Sequence, residues 1–127
     1  MQSKRSRLLL PELIRLEALI ETFPTRVKAT ELARFQSGTH AYPSYLIELA
    51  EFDPAKPSLL LTGGVHGLER IGSAVLIAFL ESVLQRLEWD HGLQHQLSQL
   101  NLLVLPMVNP VGMANHSRSN GNGVDLM

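Results

Sequence analysis

The sequence contains no cysteine. Disulfides and thiolate metal sites are therefore excluded, and any metal must rest on histidine and carboxylate ligands. Charge of one sign is missing as well. Eleven Lys and Arg oppose twelve Asp and Glu for a net −1, with no charge run. Nucleic acid and anionic membrane both demand a basic face, so neither is expected as a partner. Long apolar runs are absent too. The longest stretch, Ile71 to Leu80, is interrupted by Gly72 and Ser73 and closed by Glu81, far short of the roughly 20 residues that span a bilayer. At the start, basic residues precede Leu8, Leu9 and Leu10, but Pro11 and Glu12 cut that run short of an export segment. Cytoplasm is the default compartment on these grounds. No repeat or low-complexity tract breaks the 127 residues, enough for one domain with a real core. A 45% hydrophobic content and mean hydropathy of +0.07 fit a globular protein.

The elements follow from pattern and punctuation. A helix is predicted from Pro11 to Thr22, with proline in its first turn and Leu13, Leu16 and Ile20 on one face. Strands near Arg26–Phe35 and Ser44–Phe52 flank the turn-forming Gln36–Thr39, which suggests a hairpin. After the turn Asp53–Pro57, Ser58–Thr62 reads as a short buried strand. Gly63-Gly64 ends it, and a long helix is predicted from Glu69 or Arg70 to Trp89, apolar on nearly all sides in its first half. His91–Leu100 suits a short helix, Asn101–Val108 a buried strand, and the Gly- and Asn-rich remainder a loop. Strand, crossover helix and strand make a β-α-β unit. With the hairpin, the class is α/β, a mixed sheet flanked by helices. In open α/β sheets, sites collect past the carboxyl ends of strands. His66–Arg70 and Asn109–Asp125 both begin just past such ends.

His66 and Glu69 place an imidazole and a carboxylate three residues apart, where the chain turns from strand to helix. Zinc accepts both donor types and in catalytic sites keeps a position for water. Such an ion lowers that water's pKa to about 7 and polarises a carbonyl. Arg118, in the second cluster, is a guanidinium able to stabilise an oxyanion. Alone, the pair also fits a helix-start glutamate beside a hydrogen-bonded histidine, and the arginine fits a solvated surface residue.

Order and context add to this. A buried strand leads into Gly63-Gly64-Val65-His66-Gly67-Leu68-Glu69. A second leads into Asn109-Pro110-Val111-Gly112 and then Arg118-Ser119-Asn120-Gly121-Asn122-Gly123-Val124-Asp125-Leu126. From about Leu59 to Leu126 this resembles the zinc metallocarboxypeptidases of the carboxypeptidase A-like clan, whose relatives include aspartoacylase and succinylglutamate desuccinylase. The resemblance implies the N-terminal half of a phosphorylase/hydrolase-like fold with about eight strands, a Zn2+ cofactor, and a peptide or N-acyl amino acid substrate. It implies that His66 and Glu69 are the first two zinc ligands. Arg118 would polarise the scissile carbonyl and count, with Asn109, among substrate-binding residues. Asn109 and Pro110 would shape the loop, and Gly123, Val124 and Asp125 would be structural beside the pocket. Arg70 has no firm family role; a carboxylate partner, or Glu69 itself, is expected for it.

The family's third ligand, a downstream histidine, and its glutamate base do not appear. Met127 stands where the family has the asparagine of its carboxylate-holding Asn-Arg pair. His40, His91, His95 and His116 read as surface or locally bonded rings, only His116 lying in the right loop. Half a sheet leaves an open edge, and Leu59–Leu61 and Leu102–Leu105 look built for central strands covered on both faces. The chain is therefore expected to belong to a longer polypeptide or to pair as a homo-oligomer. The expected activity is hydrolysis of a peptide or amide bond near a free carboxylate, a carboxypeptidase-like reaction. The alternatives are a small-molecule deacylase on the same scaffold and a catalytically incomplete binding module.

Overall fold

The computed structural model describes residues 10–126. The sequence readings that concern the first nine residues and Met127 lie outside them. Helix α1 spans Pro11–Thr22 with proline at its start, and buries Leu13 and Leu16. Strands β1, Lys28–Ser37, and β2, His40–Glu48, pair antiparallel down to Ser37 opposite His40. The loop between them is only Gly38-Thr39, with Gly38 at φ 62°, the conformation a two-residue hairpin asks of its first loop position. A register shift between Glu31 and Ala33 leaves Leu32 as a bulge residue, half exposed.

Strand β3, Ser58–Thr62, is followed by α2, Ile71–Arg86, and α3, His91–Ser98. Strand β4, Asn101–Leu105, then pairs parallel to β3. The Asp90 carboxylate caps α3 by accepting from the Leu93 amide at 3.0 Å. Sheet order is β1-β2-β4-β3, and β2 meets β4 antiparallel only at Ile47 and Glu48. The result is a mixed sheet flanked by helices. No described helix is long and apolar enough to cross a membrane.

Four expectations shift. The hairpin strands sit several residues from their predicted bounds, because the turn is two residues rather than four and Pro43 lies inside β2. That proline falls where β2 has not yet met β4, so no β2–β4 bond is lost to its missing N–H. Of the two parallel strands, only β4 is interior, with Leu102 and Val104 buried. Strand β3 lies at the edge, with Leu59 and Leu60 about half exposed. Helix α2 buries Ile77, Leu80, Val83 and Leu84 but leaves Ile71, Val75 and Phe79 uncovered. These three are four residues apart and form one stripe. Finally, the predicted loop after Asn109 begins with a short helix, α4, Pro110–Ala114.

The core has two parts bridged by α1. Leu10 and Leu13 pack with Tyr42, Met107, Val111 and Met113 beneath the loops that follow β3 and β4. Leu16 joins Ile47, Ile77, Leu80, Leu102 and Val104 at the centre of the sheet.

Candidate metal centre

Two loops leave the carboxyl ends of the parallel strands. Residues 63–70 form a strap between β3 and α2, and residues 106–126 follow β4. Backbone bonds join them. The Gly63 amide donates to Leu105, and the Val108 and Asn109 amides donate to Gly63 and Gly64 at 2.9 Å each. Buried hydroxyls support this floor. Ser73 donates to the Pro106 carbonyl at 2.6 Å and Ser44 to the Met107 carbonyl at 2.7 Å.

Closer to the site, the strap passes through a gap that excludes side chains. A Cβ on Gly67 would overlap the backbone carbonyl of Gly112 and the carbonyl oxygen of Ser117. Asn109 is buried and holds the same junction. Its Oδ1 accepts from the Gly112 amide at 2.9 Å. Its Nδ2 donates to the carbonyls of Ser119 at 3.0 Å and Val65 at 3.3 Å. The carboxamide of Asn109 is thus engaged with the protein. Asn109 also lines, with Arg34, Val108, Asn120 and Leu126, a cavity of about 260 Å3.

A second asparagine turns the chain back toward the strap. Asn120 Oδ1 accepts from the amides of Asn122 and Val124, both at 2.9 Å. That compact turn returns Asp125 and Leu126 to His66. The imidazole Nε2 faces the Leu126 carbonyl oxygen and lies 3.6 Å from Asp125 Oδ1. On the other side Nδ1 lies 3.4 Å from Glu69 Oε2. Arg118 Nε donates to both oxygens of Asp125, at 3.0 and 2.9 Å. His66, Glu69 and Arg118 therefore share one surface with Asp125 between the histidine and the arginine. The family resemblance marks Asp125 only as structural; its partners are set by the Asn120 turn, for which the Asn-Gly-Asn-Gly run is the available signal.

The donor set fits a cation. A carbonyl oxygen can only accept, so Nε2 carries the proton that faces Leu126. A neutral ring then presents its Nδ1 lone pair to a carboxylate oxygen, and a cation between them satisfies both. Tetrahedral zinc with bonds of about 2.1 Å sets neighbouring donors about 3.4 Å apart. Orientation of the second ring nitrogen by a carboxylate or carbonyl is the usual support for a metal-bound histidine. Among the described residues no group of three or more His, Cys, Asp or Glu converges, so His66 and Glu69 would supply only part of a coordination sphere. His116, at φ 51°, and the exposed His91 and His95 have no recorded contact with the pair among the described residues. Arg70 pairs with Glu12 of α1.

The profile of the zinc carboxypeptidase family matches residues 16–127. Carboxypeptidase SOL1 of Arabidopsis thaliana is 27% identical over 115 residues, which are 87% of this chain and 23% of that protein. Inactive metallocarboxypeptidase ECM14 of Saccharomyces cerevisiae is 29% identical over 100 residues, 78% of this chain and 23% of that protein. The crystal structure of a metallo-carboxypeptidase from Burkholderia cenocepacia superposes with a TM-score of 0.70 at 17% identity, covering 88% of this chain and 30% of that one. The chain thus spans about a quarter of the length of these curated relatives.

Proposed function

Because the chain belongs to the zinc carboxypeptidase family, we propose that it serves a protein hydrolysing a peptide or amide bond beside a free carboxylate. His66 and Glu69 are its first two zinc ligands in this reading. The observation that carries it is the 3.4 Å approach of Nδ1 to Oε2, with Nε2 turned to the Leu126 carbonyl. When bound, zinc supplies Lewis acidity toward a carbonyl oxygen and toward water. His66 and Glu69 hold it, and the Leu126 carbonyl keeps the ring in the tautomer with Nδ1 available. Asp125 holds Arg118 on the same surface, where its guanidinium offsets negative charge developing on the carbonyl oxygen. Asn109 acts on substrate through the wall of the neighbouring cavity. The remaining ligand and a base come from further polypeptide, for which the open β3 edge is the place where the sheet can extend.

The test is hydrolysis of C-terminal peptides and of N-acyl amino acids by the zinc-loaded full-length protein. Turnover of either class, lost on His66→Ala, is the predicted result, and the class cleaved decides between peptidase and deacylase. A second reading is a non-catalytic binding module. It is favoured by the incomplete donor set of the described residues and by a relative that is itself named inactive. Zinc uptake without turnover of any substrate would establish it.

A further inference from the structure

We propose that Arg70 and Glu12 form a clasp that positions Glu69 for the metal, an inference that rests on the zinc reading above. The Glu69 side chain is 66% exposed, and its carboxylate approaches His66 Nδ1 at 3.4 Å. A carboxylate so open to solvent takes its place mainly from the backbone that carries it. The next residue, Arg70, is the N-cap of α2, and its carbonyl accepts from the Ala74 amide at 3.1 Å. No side chain caps this helix, and its first turn has no acidic residue. The usual means of locking a helix start are therefore missing.

The Arg70 guanidinium supplies another. Nε donates to Glu12 Oε1 at 2.9 Å and Nη2 to Glu12 Oε2 at 2.5 Å, a bidentate pair. Nη1 reaches the Met113 carbonyl of α4 at 3.4 Å. One planar group thus ties the strap to the first turn of α1, 58 residues away in sequence, and to the loop that carries Asn109 and Gly112. Both side chains are mostly buried, at 23% and 12% exposure, so solvent competes weakly for the pair. A cation at a helix N-terminus is disfavoured by the helix dipole, and the Glu12 carboxylate offsets that. A planar fork fixes direction as well as distance, which an ammonium group does not. Arg70 is on this account a positioning residue that acts on zinc through Glu69.

The experiment is calorimetric titration of the full-length protein with Zn2+, using wild type, Glu12→Gln, Arg70→Lys, the double variant and Glu12→Asp. All carry His91→Ala and His95→Ala, which remove the exposed histidine pair of α3. Circular dichroism first establishes a temperature at which each variant is folded. Glu12→Gln and Arg70→Lys are expected to weaken zinc about tenfold, the scale of losing a supporting partner of a ligand, at unchanged stoichiometry. The double variant should be no weaker than either single one, because the two groups act as a unit. Glu12→Asp, which keeps the charge and a shortened pair, should fall between and is the variant to read if Glu12→Gln does not fold. Wild-type affinity in folded Glu12→Gln or Arg70→Lys overturns the clasp while leaving the zinc reading intact. No zinc uptake by wild type overturns the zinc reading and the clasp with it.

Discussion

Replacing Gly67 by alanine should open the junction on which the candidate metal centre is built. The added methyl would meet the Gly112 carbonyl and the Ser117 carbonyl oxygen, all backbone atoms. No rotamer change can relieve that, so the strap and the α4 loop must separate. Gly67 does not have a positive φ, and the penalty is therefore steric rather than conformational. Overpacking of this kind costs about 1–3 kcal/mol. Separation also strains the 3.3 Å bond from Asn109 Nδ2 to the Val65 carbonyl of the strap, worth about 1 kcal/mol. A total of about 2–4 kcal/mol corresponds to a drop in melting temperature of about 10 °C for a chain of this size. Thermal unfolding followed by circular dichroism reads it, with Gly38→Ala as control. Gly38 needs its positive φ but has open space around it, so that variant should lose only about 1 kcal/mol from backbone strain and keep its zinc affinity. A Gly67→Ala protein that melts with wild type and binds zinc equally would refute the close approach of the two loops.

Other consequences are as direct. Asp125→Asn removes the charge that holds Arg118. Full-length activity should fall by about 10- to 100-fold with zinc still bound, and loss of zinc without loss of the arginine's effect would contradict the assignment. Burial pushes the Glu12 carboxyl up, but hydrogen bonds and charge from Arg70, a backbone bond and the charge of Arg15 outweigh it and hold it below its ordinary 4.5. Its contribution to stability is therefore complete above about pH 4.5 and is lost as pH falls through the lowered value. Urea melts should show wild type and Glu12→Gln converging in acid, and a constant gap would contradict this. Ser73→Ala strips the donor from the buried Pro106 carbonyl and should cost about 1–3 kcal/mol in the same melts.

Helix α1 and strand β3 were legible because each has punctuation at both ends, Pro11 and Phe23-Pro24 for one, Pro57 and Gly63-Gly64 for the other. The family was legible because its residues occur in order after two apolar strands. Position within the sheet was not. Leucines at 59–61 look alike whether a strand is central or at an edge, and only the pairing order shows that β3 has a single neighbour. The uncovered Ile71, Val75 and Phe79 stripe is of the same kind, since composition marks a face as apolar without saying what covers it. Helix α4 could have been read. Asn109-Pro110 is an N-cap followed by a first-turn proline, but five residues carry too little periodicity to announce a helix. Asp125 was placed beside the site without its partners, because those depend on a turn that Asn120 closes through its own side chain.

The central claim is that His66 and Glu69 hold one ion together. Zinc titration of the full-length protein, with His91 and His95 replaced by alanine, tests it most directly. The account predicts one saturable zinc per chain, lost in His66→Ala and lost again in Glu69→Ala. Zinc bound with unchanged stoichiometry and affinity in both variants would contradict it.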